Sequence, residues 1–83
     1  MPTVATVEGV KIQFYPDDHP PPHFHAEFAE YRAKFDIADL TVIKGFLPIA
    51  KHRAVVQWAS LRQDDLSKIF ARAIAKERLE KLK

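Results

Sequence analysis

The sequence contains no cysteine, which excludes disulfide bonds and metal sites built from thiolates. Only two glycines occur among its 83 residues, so a glycine-rich loop that cradles phosphates is excluded as well. No apolar run approaches the roughly 18 residues of a membrane-spanning helix, and no basic-then-apolar leader is present. We therefore expect a cytoplasmic protein that is neither secreted nor inserted in a membrane.

The remaining composition is that of a globular protein, with 47% hydrophobic and 29% charged residues. The length predicts a single domain over residues 1–83. The net charge of +2 is unevenly distributed, because residues 1–47 carry −3 and residues 48–83 carry +5. A basic C-terminal half is typical of proteins that bind nucleic acid or an acidic protein, and equally of a solvated helix face.

Alternation of apolar and polar residues predicts strands over residues 3–7, 10–14, 23–28, 31–37 and 40–43. Pro48 is suited to open a first helix, and Ser60 with Gln63 resembles a capping box that would open a second. An apolar stripe at helical spacing follows, formed by Leu66, Ile69, Phe70, Ala73 and Ile74. The predicted fold is α+β: a small antiparallel β-sheet of four to five strands followed by two C-terminal helices packed on one face.

The register of the third and fourth strands follows if Ala29-Glu30 forms a two-residue loop. The polar pairs it predicts are Glu27 with Arg32, His25 with Lys34, and His23 with Asp36. The apolar partners fall on the opposite face, as a correct register requires. The polar residues are thus expected on the solvated face of the sheet.

Residues 15–25 contain three of the four histidines and four of the six prolines. His23 and His25 share one face of a predicted strand, and His19 lies upstream across prolines expected to form a stiff, extended segment. Imidazoles near carboxylates bind divalent transition metals. One hypothesis is therefore a metal site of His19, His23 and His25 in a small hydrolase or nuclease. The alternative is a solvated polar face.

A second hypothesis is acid–base catalysis, with His23, His25 and Asp36 as catalytic residues. Lys34 or Arg32 is expected to hold an anion beside them, and Asp18 and His19 are the other predicted binding residues. Two histidines and a lysine can cleave RNA without a metal. The alternative is an ordinary cross-strand ion pair, which contributes only a few tenths of a kcal/mol.

A third hypothesis is nucleic-acid binding by the basic C-terminal half. Its candidate residues are Lys51, His52, Arg53, Arg62, Lys68, Arg72, Lys76 and Arg78. No aromatic residues are interleaved with them, which disfavours binding to single strands by stacking. Trp58, at helical spacing, is interpreted as a core residue.

The motif Asp18-His19 followed by Pro21-Pro22-His23-Phe24-His25, with Val10-Lys11-Ile12 before it and Leu47-Pro48 after it, resembles small bacterial proteins of the domain of unknown function 4160 family. The resemblance implies that these motif residues form the functional site. It also implies a component of a toxin–antitoxin-like two-gene cassette that acts through a small protein partner, with RNA as a candidate target. A non-catalytic interaction module is the remaining alternative. Ala29 departs from the family, whose members commonly have glycine there.

Overall fold

The structure, a computed structural model, describes residues 3–76. It contains five strands, which are β1 (Thr3–Val7), β2 (Val10–Gln13), β3 (His23–Phe28), β4 (Tyr31–Asp36) and β5 (Val42–Gly45). They form one antiparallel sheet whose spatial order follows the chain, β1-β2-β3-β4-β5. Two helices come after the strands, so the predicted α+β fold is confirmed.

The register of β3 and β4 is the predicted one, from Phe28 opposite Tyr31 to His23 opposite Asp36. The loop between them is Ala29-Glu30, and Ala29 adopts a φ of 52°, in the left-handed region that a tight hairpin uses. The predicted Glu27–Arg32 pair forms, with 3.0 Å between Oε2 and Nη2. Pairing of apolar with apolar side chains was therefore sufficient to fix this register without a glycine in the loop.

The prediction for β5 was wrong by two residues at each end, because the turn before it is longer than expected. Asp36 Oδ1 accepts hydrogen bonds from the N–H groups of Ala38 and Asp39. Asp39 Oδ1 accepts bonds from the hydroxyl and N–H of Thr41, which lowers the pKa of the Asp39 carboxyl. These local bonds compete with the strand, so β5 begins at Val42 and Lys44 lies within it.

The helices are α1 (Ile49–Ser60) and α2 (Gln63–Ile74), and Pro48 is the residue that precedes α1. The predicted capping box was wrong, because α1 continues through Ser60, whose Oγ donates to the carbonyl of Gln57. The side chain of Gln63 instead donates to the carbonyls of Ile37 and Ala38, 2.8 and 3.0 Å away. This side chain ties the start of α2 to the end of β4.

The core lies between one face of the sheet and the two helices. The strands and the residues just after them contribute Ile12, Phe14, Phe24, Ala26, Ala33, Phe35 and Ile37, and the helices contribute Val55, Ala59, Leu66, Ile69, Phe70 and Ala73. Trp58 is half-buried against this core, whereas Ile74 is 37% exposed. None of the helices within residues 3–76 is long and apolar enough to cross a membrane. The second face of the sheet carries the polar side chains of the candidate site.

Candidate metal centre

Asp18 is held at the end of a turn that begins at Tyr15. Pro16 occupies the second position of the turn, where its fixed φ is favoured. The N–H of Asp18 donates to the carbonyl of Tyr15 at 3.2 Å, and the N–H of Tyr15 donates to Asp18 Oδ2 at 3.3 Å. The carboxylate is only 13% exposed, and these two bonds orient it within the turn.

The proline segment that follows does not form the extended rod expected from the sequence. It lies within the connection between β2 and β3, which are antiparallel neighbours, so the chain must reverse direction there. The Pro20–Pro21 peptide bond is cis. The connection returns to the sheet at His23, and Asp18 lies beside the start of β3.

His25 makes a direct contact with Asp18. Its Nε2 lies 2.9 Å from Asp18 Oδ2, and its ring meets that of Tyr15 edge-on with centroids 4.3 Å apart. Burial lowers the pKa of His25 below 6.5, and the positive charge of Lys34 lowers it slightly further, although the hydrogen bond and charge of Asp18 oppose the shift. His25 is consequently a neutral imidazole near neutral pH, which is the form that binds metal.

His23 is buried, with 4% of its surface exposed, so its predicted position on a solvated face was wrong. Alternation places a side chain on one side of a strand but does not reveal what covers it; here the ring packs 5.3 Å from that of Phe70 in α2. Its Nδ1 lies 2.8 Å from the carbonyl oxygen of Pro21. A carbonyl only accepts, so Nδ1 carries a proton in this contact.

The second ring nitrogen of His23, Nε2, faces the carboxylate of Asp18. This nitrogen is 3.4 Å from Asp18 Oδ2, is fully buried and makes no hydrogen bond. Within residues 3–76, Asp18, His23 and His25 form a group whose candidate ligand atoms all lie within 4.8 Å of one another. Ligand atoms about 2.1 Å from an ion lie about 3.0–3.4 Å apart at angles between 90° and tetrahedral. The observed N–O distances of 2.9 and 3.4 Å match this spacing.

The structure brings together some of the predicted site residues and separates others. His19 is exposed and lies outside the group of three, and Asp18, predicted only as a binding residue, is the carboxylate that contacts both rings. Asp36 opposes His23 in the register, but its carboxylate binds the backbone of the following turn. The predicted pairing of His23 with an Asp36 carboxylate is therefore not made, and Asp18 takes that place.

A cleft of about 440 Å³ opens on the solvated face of the sheet, and Asp18 and His25 form part of its wall. Its other lining residues include Gln13, Tyr15, Arg32, Lys34 and Lys44. Arg32 and Lys34 were predicted as binding residues, but Lys44 was missed because the sequence placed it after the end of β5. No alternation in the sequence marks it, because Val42 and Ile43, which precede it, are both apolar.

Two residues of the predicted basic surface make hydrogen bonds within the fold. Lys51 Nζ donates to the carbonyl of Glu8 and lies 4.8 Å from the centre of the Phe28 ring. Arg62 donates to the carbonyl of Trp58. Lys68, Arg72 and Lys76 are exposed, and Arg78 lies outside the described residues. Nucleic-acid binding by this surface stays a prediction.

A family model described as "Domain of unknown function (DUF4160)" matches residues 9–70, more than half of the chain. The chain belongs to this family. The match includes the whole of the Asp18, His23 and His25 group and the strands that line the cleft of this DUF4160 domain. No curated protein and no solved structure matches the chain. The toxin–antitoxin role and the protein partner stay predictions that rest on the family resemblance alone.

Proposed function

We propose that this DUF4160 domain binds a divalent transition-metal ion through Asp18, His23 and His25. The observation that carries the proposal is the buried Nε2 of His23, which has no hydrogen-bond partner and is directed at the Asp18 carboxylate. A buried polar atom left unpaired costs about 1–3 kcal/mol. The Asp18 carboxylate, 3.4 Å away, does not form a hydrogen bond that would offset this cost.

A cation bound to Nε2 of His23 would remove the cost of leaving this buried nitrogen unpaired. It would accept the lone pair of His23 and neutralise the carboxylate of Asp18, and it would take the place of the proton that His25 shares with that carboxylate. Two imidazoles and one carboxylate suit zinc, iron, nickel or copper, whereas calcium and magnesium prefer oxygen ligands alone. The donor set therefore selects the class of ion.

The groups behind the ligands support the same assignment. Metal-binding histidines commonly donate their second ring N–H to a carbonyl or carboxylate, which fixes the ring and its tautomer. His23 does this through Nδ1 and the carbonyl of Pro21. Asp18 is likewise oriented by the N–H of Tyr15. These bonds orient the ring of His23 and the carboxylate of Asp18 as ligands of one ion would require.

Three protein ligands leave coordination positions for water or a further ligand, and the cleft provides access to them. A metal-bound water is the usual nucleophile in metal-dependent hydrolysis. A small hydrolase or nuclease is therefore the activity that this geometry favours. A plain structural role is the competing interpretation, in which the Asp18–His25 hydrogen bond only fastens the connection to the sheet.

Calorimetric titration of the untagged protein with zinc distinguishes these interpretations. We expect one ion per chain. His23→Gln and Asp18→Asn should each raise the Kd for zinc by more than about 100-fold, which exceeds the loss of affinity caused by changing a residue that only supports a ligand. Asp18→Asn keeps the size of the side chain, so it tests the ligand even if His23→Gln fails to fold.

His19→Gln is the matched control, because His19 neighbours Asp18 but is exposed and outside the group. Its Kd for zinc should equal that of the wild type. Equal affinities for all four proteins, or no binding by the wild type, would overturn the proposal.

A further inference from the structure

We infer that the cleft beside the metal centre binds a phosphate monoester, whose phosphate group is held by Lys34 and Lys44. The inference deepens the proposed function, since the ion is expected to provide a third contact with the same group. It rests on the arrangement of charge across the open face of the sheet.

Four polar residues form one row across this face. The register places Gln13 opposite His25, His25 opposite Lys34, and Lys34 opposite Lys44. All four line the cleft, and Asp18 contacts His25, the second residue of the row. From His25, a ligand of the proposed ion, the row continues directly to two ammonium groups.

The pairing of Lys34 with Lys44 is unfavourable unless an anion is present. Directly opposed residues in an antiparallel sheet have Cβ atoms about 4.5–5.5 Å apart, and like charges there are destabilising. Within residues 3–76, neither ammonium forms an ion pair. Arg32, the third cation of the cleft, is already paired with Glu27 at 3.0 Å. The uncompensated positive charge is thus concentrated at Lys34 and Lys44.

The number of cationic groups selects the class of anion. Lys34, Lys44 and the proposed ion are three separate positive centres on one cleft. A phosphate monoester has three terminal oxygens and can contact all three, whereas a carboxylate has two. Lysine commonly binds phosphate as a point charge. The cleft volume of about 440 Å³ is within the range of small-ligand pockets and accommodates the organic part of the ester.

Binding of phenyl phosphate tests the inference, with benzoate as the carboxylate of matched shape. Titrations are followed by NMR for zinc-loaded and metal-free protein. We expect phenyl phosphate to bind the zinc-loaded wild type more tightly than benzoate, and to shift the amide signals of β4 and β5. Lys34→Gln and Lys44→Gln should each weaken binding about tenfold, because each removes one hydrogen bond to a charged group.

Lys68→Gln is the matched control, since it removes the same charge from the exposed surface of α2. It should bind phenyl phosphate as the wild type does. Unchanged affinity in both cleft variants, a preference for benzoate, or no binding by the wild type would overturn the inference.

The two proposals fail in distinguishable ways. If zinc binds through Asp18 and His23 but phenyl phosphate does not bind, the inference is wrong and the metal proposal stands. If zinc does not bind but phenyl phosphate binds the metal-free protein in a manner that depends on Lys34 and Lys44, the metal proposal is wrong and an anion site remains.

Discussion

The side chains of His23 and His25 differ in their surroundings although they project from the same face of β3. His23 is fixed by the carbonyl of Pro21 and covered by Phe70, whereas His25 is 23% exposed and borders the cleft. The sequence predicted their common face from their spacing. It did not predict that Asp18 rather than His19 would join them, because that depends on the tertiary path of the connection. The Tyr15-Pro16 turn signal was the local hint that Asp18 points back toward the chain.

The ionisation of His25 predicts how the stability of the metal-free protein depends on pH. Burial lowers the pKa of His25 below 6.5, so the unfolded chain binds this proton more readily than the folded protein does. The corresponding stability is fully present above about pH 6.5 and is lost as the pH falls through the lowered pKa. Urea unfolding in the presence of EDTA at about pH 7.5 and about pH 5 measures the loss.

The matched variant for this measurement is His25→Gln, which cannot take up the proton. We expect a smaller loss of unfolding free energy between the two pH values in the variant than in the wild type. Equal losses would show that His25 is not the group responsible.

At the scale of secondary-structure elements, the order of strands, the β3–β4 register and the two helices followed from alternation and helical spacing. The bounds of β5 did not, because Asp36 and Asp39 stabilise a turn whose length the pattern of apolar residues does not encode. Because the predicted β5 ended before Lys44, this residue was left out of the predicted site, although it lines the cleft. Small errors in an edge strand thus change the predicted site more than they change the predicted fold.

Gly45 provides a test of how β5 is placed. Its φ is +75°, and a Cβ added there would overlap the carbonyl oxygen of Arg32, which also accepts a hydrogen bond from the N–H of Phe46. We expect Gly45→Ala to lower the free energy of unfolding by about 3 kcal/mol or more, measured by urea denaturation.

Gly9→Ala is the control for Gly45→Ala, since Gly9 has a similar φ of +84° but space for a Cβ 3.5 Å from the side chain of Phe28. In Gly9→Ala only the left-handed backbone conformation is unfavourable, and we expect the free energy of unfolding to fall by about 1–2 kcal/mol. Similar costs for both substitutions would contradict the close approach of β5 to β4.

At the scale of the whole molecule, the cluster connects three parts of the chain. Asp18 belongs to the connection between β2 and β3, the two histidines belong to the sheet, and Phe70 of α2 packs on His23. An ion bound to Asp18 and both rings would fasten the connection to the core. Metal binding should therefore stabilise the entire fold.

Thermal unfolding measures this coupling. Zinc at 100 times its Kd adds about 2.7 kcal/mol to the stability of the folded state. For a chain of this size we expect the Tm to rise by about 10–20 °C. Asp18→Asn should show little of this increase, and His19→Gln should show all of it. An equal rise in both variants would place the zinc elsewhere on the protein.

Coordination of zinc by His23 and His25 is measured most directly by the ¹⁵N NMR spectrum of the histidine side chains before and after addition of zinc. We expect Nε2 of His23 and of His25 to change shift on coordination, Nδ1 of His23 to keep its proton, and His19 and His52 to be unaffected. If the ring of His19 responds to zinc, or if the Nε2 signal of His23 stays unchanged, the assignment of Asp18, His23 and His25 as the metal ligands is contradicted.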